Sequence, residues 1–190
     1  SGERGIFNRE ASKKQAEKYG RRDPNYEFGT NPCSEIILRP YQFCNLTEVV
    51  VRATDTVKDL ERKVKIATIL GTIQSSYTKF PYLRKVWQRN TEEERLLGVS
   101  LTGIMDNPLM TTVNSNLEKL LDDLRTVSVA TNIEYAELLN IPQSAAITCV
   151  KPSGTVSQLV DSASGIHARH SPYYIRTVRG DNKDPLTQFM

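Results

Sequence analysis

Two long stretches of helical periodicity, with short apolar runs around them, constrain the fold of this chain most strongly. After Thr56, a typical helix N-cap, apolar residues recur at steps of three and four and predict a helix to about Phe80, before Pro81. The same spacing after Ser115 predicts a second long helix to about Leu139. Strands alternating with such helices favour an α/β fold with parallel strands and helical crossovers.

The runs that we predict as strands are short. Residues 41–52 are rich in valine, residues 98–105 combine apolar and small side chains, and residues 145–150 are mostly apolar. The small residues in the second run suggest a place where another backbone approaches closely. Before these runs, residues 11–19 predict a short charged helix that Gly20 ends.

Composition excludes several classes of protein. A chain of 190 residues can bury a proper core, and 38% apolar with 25% charged residues is ordinary for a globular domain. A net charge of +3 is too small to indicate nucleic acid or a membrane surface, and no run is apolar enough to span a bilayer. Three cysteines without CxxC spacing argue against a secreted disulfide scaffold and a zinc ribbon. We therefore predict a cytoplasmic location.

One segment concentrates reactive side chains. Asn31, Cys33 and Glu35 stand at every second position, and Pro32 pushes its neighbour towards extended backbone. In an extended segment, alternation would send all three side chains to one face. An amide, a thiol and a carboxylate would then form a compact reactive cluster. The alternative is that Cys33 acts as a small buried apolar residue within ordinary loop chemistry.

A second segment, residues 151–157, follows the last predicted strand. A strand, a small-residue turn and a helix start would leave backbone N–H groups free to bind an anion, with Gly154 allowing close approach. Hydroxyl groups at Ser153, Thr155 and Ser157 offer further donors. The spacing differs from that of a P-loop. An ordinary capped helix remains the alternative.

These two segments resemble one known family. The residues Asn31-Pro32-Cys33-Ser34-Glu35, with Cys44-Asn45-Leu46, resemble the active-site loop of the ribonucleotide reductase catalytic chain. The residues Pro152-Ser153-Gly154-Thr155 resemble the turn that binds substrate phosphates in the same family. Both segments occur in the family's order along the chain.

The resemblance implies a fold and a set of roles. The fold would be part of a ten-stranded α/β barrel with an active-site finger loop, and residues 1–190 would be a single fragment of this catalytic domain, incomplete at both ends. Cys33 would carry a transient thiyl radical, while Glu35 and Asn31 hold the ribose hydroxyls. Cys44 would be one half of a reducing dithiol, with an upstream cysteine as its partner. Further substrate contacts would come from Pro32, Ser34, Pro152, Ser153, Gly154, Thr155 and Val156.

The amino-acid sequence of the later segments resembles that of the adenosylcobalamin-dependent branch of the family. The features are Gly154 and the segments Gly165-Ile166-His167 and Tyr173-Tyr174-Ile175-Arg176. The resemblance implies adenosylcobalamin as cofactor, a ribonucleoside triphosphate or diphosphate as substrate and a thioredoxin-type reductant. The remainder of the catalytic chain would be a partner, without membrane or direct nucleic-acid binding.

Several alternatives stay open. The chain could come from an iron-dependent or anaerobic reductase, or it could be a non-catalytic nucleotide-binding piece. His167 and His170 lie three residues apart, but they have no third ligand nearby, and we predict no metal site. The basic residues Arg84, Lys85 and Arg89 are either a solvated face or a phosphate contact.

Overall fold

A computed structural model describes residues 5–169, 171–175 and 177–190. The helices are α1 (Arg9–Glu17), α2 (Val57–Gln74), α3 (Lys85–Glu94), α4 (Ser115–Leu138), α5 (Val156–Leu159) and α6 (Pro185–Phe189). The strands are β1 (Gly29–Thr30), β2 (Ile37–Leu38), β3 (Asn45–Val50) and β4 (Leu97–Thr102), and Ile104–Asp106 form a 3₁₀ turn.

The central sheet is parallel, as predicted. β3 and β4 pair in register from Asn45↔Leu97 to Val50↔Thr102. Residues 145–149 run alongside β4, with a parallel bridge between Val99 and Thr148. The predicted third strand is thus reduced to this bridge and its flanking backbone hydrogen bonds. β1 and β2 instead form a small antiparallel hairpin, which the sequence analysis did not predict.

The long helices begin close to where their caps predict. Thr56 and Asp59 form a reciprocal capping box at the start of α2. The prediction that this helix continues to Phe80 is wrong, because the hydroxyls of Ser75 and Ser76 bond carbonyls of the last turn. Asn114, rather than Ser115, caps α4 by accepting a hydrogen bond from the N–H of Leu117.

The core lies between the sheet and the two long helices. Side chains of α2 and α4 pack on one face of β3 and β4, and Leu60 and Leu97 are almost completely buried. Each such side chain stabilises the fold by about 1.5–3 kcal/mol relative to exposure. The other face of these strands is therefore the one available for polar chemistry.

Helix α3 was not predicted from the sequence, where its residues read as a basic patch. Asn90 and Glu94 of this helix are buried, so its inner face is polar and lacks an apolar stripe. Arg84, the residue before it, lies over the ring of Tyr41, with 4.4 Å between the guanidinium carbon and the ring centroid. Among the described helices, none has the length and apolar character that crossing a bilayer requires.

Candidate active site

The reactive segment is the tip of the β1–β2 hairpin. The N–H of Asn31 donates to the carbonyl of Ile36 at 3.3 Å, and the N–H of Ser34 donates to the carbonyl of Asn31 at 3.0 Å. The side-chain oxygen of Asn31 also accepts the N–H of Ile36 at 3.1 Å. Asn31 thus closes the turn with both its backbone and its amide.

The prediction of an extended segment is wrong, because this turn reverses the chain. Ser34 has φ of 63°, in the left-handed region that glycine prefers. Pro32, Cys33 and Ser34 are exposed, whereas the side chain of Glu35 is fully buried. Cys33 therefore lies at the exposed tip as expected for a reactive thiol, but it does not share one strand face with Glu35.

Glu35 points inward and meets the second segment. Its Oε1 accepts a hydrogen bond from Nζ of Lys151 at 2.8 Å, across 116 positions of sequence. The Glu35 side chain has 0% exposure and the Lys151 side chain 26%. The other oxygen, Oε2, is buried and accepts no hydrogen bond from the described residues. The reactive loop and the turn after residue 150 are therefore joined, with one carboxylate oxygen left over.

The surroundings of this ion pair keep it charged. Burial by itself raises the pKa of Glu35, but the hydrogen bond from Lys151 and the side chain of Asn31 outweigh burial and lower the pKa overall. The same hydrogen bond raises the pKa of Lys151 against the opposing effect of burial. Glu35 is thus an ionised carboxylate with a free oxygen, the state a general base requires.

Two more thiols lie near this carboxylate. Burial, with smaller contributions from each thiol's charged neighbours, raises the pKa of Cys44 to about 12 and that of Cys149 to about 12. Glu35 contributes to both shifts. All three cysteines of the chain are free thiols. Cys149, predicted to be an inert strand residue, thus lies near Cys44. The two thiols have similarly raised pKa values, so their protonation states do not distinguish them.

Gly98 explains how these parts fit together. A Cβ at this position would lie 2.4 Å from Cδ2 of Leu46, 3.1 Å from Cδ1 of Ile36 and 3.2 Å from Sγ of Cys149. The hairpin, the start of β3 and the segment 145–149 beside β4 therefore all meet at Gly98, which has no side chain. The neighbours at Gly98 are side chains, whereas a Cβ at Gly103 would lie 2.6 Å from the carbonyl oxygen of Val51, so the predicted approach of another backbone is found at Gly103.

The second segment is a tight turn before the single-turn helix α5. Gly154, Thr155 and Val156 are exposed, and their N–H groups donate no hydrogen bond to any other described residue. Three neighbouring free donors at the surface can bind an anion. The predicted turn between strand and helix is present, although its helix is only four residues long.

The interior of this turn is built from small residues. The carbonyl of Ser153 accepts hydrogen bonds from the N–H of Gly165 at 3.1 Å and from the hydroxyls of Ser157 and Ser164. A Cβ on Gly165 would lie 2.3 Å from the carbonyl oxygen of Lys151. Ser157 is buried and its hydroxyl faces these carbonyls, so the prediction that it offers a ligand donor is wrong.

Known proteins resemble this chain over most of its length. No protein-family model matches the sequence. The adenosylcobalamin-dependent ribonucleoside-triphosphate reductase of Lactobacillus gasseri is 31% identical over 98% of this chain and 28% of its own length. The enzyme of the same name from Lactobacillus delbrueckii is 29% identical over 98% of this chain and 29% of its own length. A probable enzyme of this kind from Dictyostelium discoideum is 34% identical over 80% of this chain and 20% of its own length.

A solved structure agrees with these relatives. The crystal structure of a B12-dependent, class II ribonucleotide reductase superposes with a TM-score of 0.63 and 26% identity, covering 73% of this chain and 22% of that one. This chain belongs to the ribonucleotide reductase family. It spans less than a third of the length of the curated relatives that it matches.

The family resemblance did not indicate what holds the reductase hairpin in place. Arg22 forms a bidentate ion pair with Glu94 of α3, at 3.0 and 2.9 Å. Its Nη1 also donates a hydrogen bond to the carbonyl of Ile37 at 2.7 Å. Gln42 hydrogen-bonds both partners of the pair. This buried network anchors β2, and thereby the loop that carries Cys33, to the rest of the chain. The sequence contains no local signal for it, because Arg22 and Glu94 are 72 positions apart.

The segment after residue 164 is only partly described. His167 lies 3.3 Å from the hydroxyl of Ser164 through Nδ1, while His170 and Arg176 of the quoted segments lie outside the described residues. Arg169 pairs with Asp106 at 2.9 Å and lowers the pKa of that carboxyl. In the described part of the chain, no three His, Cys, Asp or Glu side chains group in a way that could hold a metal ion.

Proposed function

We propose that this chain is part of the catalytic domain of an adenosylcobalamin-dependent reductase that converts ribonucleotides to 2′-deoxyribonucleotides. The observation that carries the proposal is the ion pair between Glu35 and Lys151. The pair links a buried carboxylate with a free oxygen, two residues from the exposed thiol of Cys33, to the residue that directly precedes the turn with free N–H groups. A ribose would lie at one end of this arrangement and its phosphates at the other.

Cys33 is proposed as the residue that starts the reaction on the substrate. Adenosylcobalamin, bound by the intact enzyme, would supply the radical that removes the thiol hydrogen. The position of Cys33 fits such a group, since an exposed thiol at the tip of a turn can be approached by a large cofactor. The thiyl would then take the hydrogen atom from C3′ of the ribose and later return it.

Glu35 and Asn31 are proposed to act on the ribose hydroxyls. The free Oε2 of Glu35 would accept the proton of the 3′-hydroxyl, which requires an ionised carboxylate within hydrogen-bond distance. The amide oxygen of Asn31 is held in the hairpin turn, so the NH₂ group, which also lowers the pKa of Glu35, is the part that would orient a hydroxyl. The 2′-hydroxyl would leave as water while two electrons are supplied by thiols.

Cys44 is proposed as one of the two reducing thiols, with a cysteine elsewhere in the catalytic chain as the other. Oxidation of the pair to a disulfide would release the two electrons and two protons that the loss of water consumes. A thioredoxin-type protein would then restore both thiols. The raised pKa of Cys44 keeps it in the thiol form between turnovers.

The turn at residues 152–156 is proposed to bind the substrate phosphates. Gly154, Thr155 and Val156 contribute exposed N–H groups, while Pro152 and Ser153 shape the turn from inside. Pro32 and Ser34 would contact the substrate from the hairpin. By its relatives' names, a ribonucleoside triphosphate is the favoured substrate.

The remaining expectations belong to the intact protein. We propose that residues 1–190 are one part of a ten-stranded α/β barrel, in which the β1–β2 hairpin is the finger loop. The barrel would shield the radical from solvent and side reactions. Cytoplasmic location agrees with three free thiols in the chain.

The test uses the complete protein that contains this chain, with adenosylcobalamin, a ribonucleoside triphosphate and a dithiol. We expect deoxyribonucleotide as product, and its complete loss in Cys33→Ser with nucleotide binding retained, because the O–H bond of serine is much harder to break than a thiol S–H. Cys149→Ser is the matched control and should keep the activity. Deoxyribonucleotide formation by Cys33→Ser, or its absence in the unsubstituted protein, would refute the proposal.

A further inference from the structure

The ion pair between Glu35 and Lys151 is the contact that joins the hairpin tip to the turn before α5. The Nζ of Lys151 lies 2.8 Å from Oε1 of Glu35, and Lys151 is directly followed by the residues of the proposed phosphate turn. The backbone of Lys151 is fixed in turn, because its carbonyl accepts the N–H of Ser153 at 3.0 Å and Gly165 packs against it. The backbone from which the Lys151 side chain extends is therefore held in place.

The two oxygens of Glu35 have different surroundings. Lys151 occupies Oε1, whereas Oε2 is buried without a partner among the described residues. A buried carboxylate oxygen without a partner is costly in a folded protein. It is typical of a position that a ligand completes.

The other titratable groups around this carboxylate do not replace Lys151. Cys44 before β3 and Cys149 beside β4 interact with Glu35, and both are neutral thiols at ordinary pH. Cys33 of the same hairpin interacts with Lys151. Glu48 of β3 affects the pKa of Cys149 and Arg22 affects that of Cys44, and Arg22 is already paired with Glu94. Lys151 is thus the cation in direct contact with Glu35.

We propose that Lys151 is a positioning residue that holds Glu35 ionised, with Oε2 presented to the ribose, and ties this base to the turn that holds the phosphates. This inference rests on the proposed function. It assigns to Lys151 no contact with the reacting atoms. Its contribution is to fix the distance between the proposed ribose site at Glu35 and the proposed phosphate turn, and to keep the carboxylate of Glu35 charged.

A purely structural role predicts different behaviour. The Lys151 side chain keeps 26% exposure, but its loss would leave the fully buried carboxylate of Glu35 without a cation, which destabilises a fold. Loss of a purely structural pair would therefore lower the melting temperature and leave the pH dependence of the reaction as it was. Loss of a positioning residue would change the ionisation of Glu35 and the turnover number.

The experiment compares Lys151→Met, Lys151→Arg and Lys63→Met in the complete protein. Lys63 is the matched control, because it pairs with Asp55 at 2.5 Å, has 27% side-chain exposure and lies on α2 outside the site. The pH profile of kcat/KM is measured for reduction of a ribonucleoside triphosphate. Thermal unfolding confirms that each variant is folded.

We expect Lys151→Met to move the acid limb of the profile to higher pH, because Glu35 no longer has the partner that lowers its pKa. Near neutral pH, kcat should fall about tenfold or more, within the ~100-fold that a misplacement of about 1 Å costs. KM should change little, because the turn's N–H groups remain. Lys151→Arg should keep the acid limb in place, and Lys63→Met should leave both limb and kcat unchanged.

A second readout is independent of turnover and of cofactor. Infrared titration of the protonated carboxyl band, with Lys151→Met compared against Lys151→Met/Glu35→Gln, isolates Glu35. We expect its titration at higher pH than in the unsubstituted protein. An unsubstituted protein that is active, combined with an unshifted acid limb and an unshifted Glu35 band in Lys151→Met, would overturn this role alone. Inactivity of the unsubstituted protein would reject the proposed function and this role with it.

Discussion

The two faces of the parallel sheet show how this chain separates stability from chemistry. On one face, Val49 and Val99 pack with Leu60 of α2 and Leu124 of α4 in an apolar core. On the other face, the alternate β3 residue Glu48 has a buried oxygen without a partner among the described residues, as does Glu35 of the hairpin nearby. The first face is mainly apolar, with the hydroxyl of Thr47 as its unsatisfied polar atom, whereas the second retains two carboxylate oxygens without a partner among the described residues. Substitutions on the two faces should therefore have opposite signatures.

The largest effect is expected for Glu35→Gln in the complete protein. An amide cannot accept the proton of the 3′-hydroxyl as a carboxylate does, so kcat should fall by about 10²–10⁴-fold, the usual contribution of general acid–base catalysis. The melting temperature should hardly change. Steady-state kinetics and thermal unfolding of the same preparation measure both. A variant with near-normal kcat would place Glu35 outside the chemistry.

A large loss of stability is expected for Arg22→Met, on the side of the hairpin away from its tip. The substitution leaves Glu94 charged and buried, and breaking such a pair costs about 3–5 kcal/mol. Chemical denaturation measures the difference. Lys65→Met, which removes an exposed pair with Glu134, is the control and should stay within about 1 kcal/mol. Equal effects of the two substitutions would show that the hairpin does not depend on its buried network.

The apolar face should respond to Leu60→Ala in stability alone. Truncation of this fully buried side chain should cost about 2–5 kcal/mol through lost burial and the cavity that remains. Turnover at a temperature where the variant is folded should stay close to normal. A selective loss of kcat in folded Leu60→Ala would mean that the two faces are not separate after all.

The smallest effect is expected at the hairpin tip. Ser34 has a left-handed backbone, which costs a residue with a side chain roughly 1–2 kcal/mol. Ser34→Gly should therefore be neutral or slightly stabilising, whereas Ser34→Val should be destabilising by about the same 1–2 kcal/mol. Denaturant unfolding of the pair measures the difference, and a more stable valine variant would contradict the turn geometry.

The apolar face could be predicted from the sequence, whereas much of the polar face could not. The helical period and the caps near Thr56 and Asn114 are local signals, so α2 and α4 were found within a few residues. Helix α3 was missed because its buried side chains are polar and its pattern is that of a charged surface. An amphipathic period reports only apolar burial.

Within the site, the residue types were predictable but their arrangement was not. Cys33 and Glu35 were identified from their spacing and family resemblance, yet the reason given for their proximity, an extended strand, was wrong. The amide of Asn31 closes a turn instead. The contact between Glu35 and Lys151 joins residues 116 positions apart, and no local sequence pattern predicts such a pair.

If the polar face takes part in the proposed ribonucleotide reduction, the three cysteines should differ in oxidation state after one turnover. The complete enzyme is allowed a single turnover without external reductant, alkylated and analysed by mass spectrometry. We expect Cys44 to be protected in a disulfide with a cysteine from elsewhere in the chain, and Cys33 and Cys149 to be labelled, because only the reducing pair ends oxidised. A bond between Cys33 and Cys44, or full labelling of Cys44 after turnover, would contradict the account.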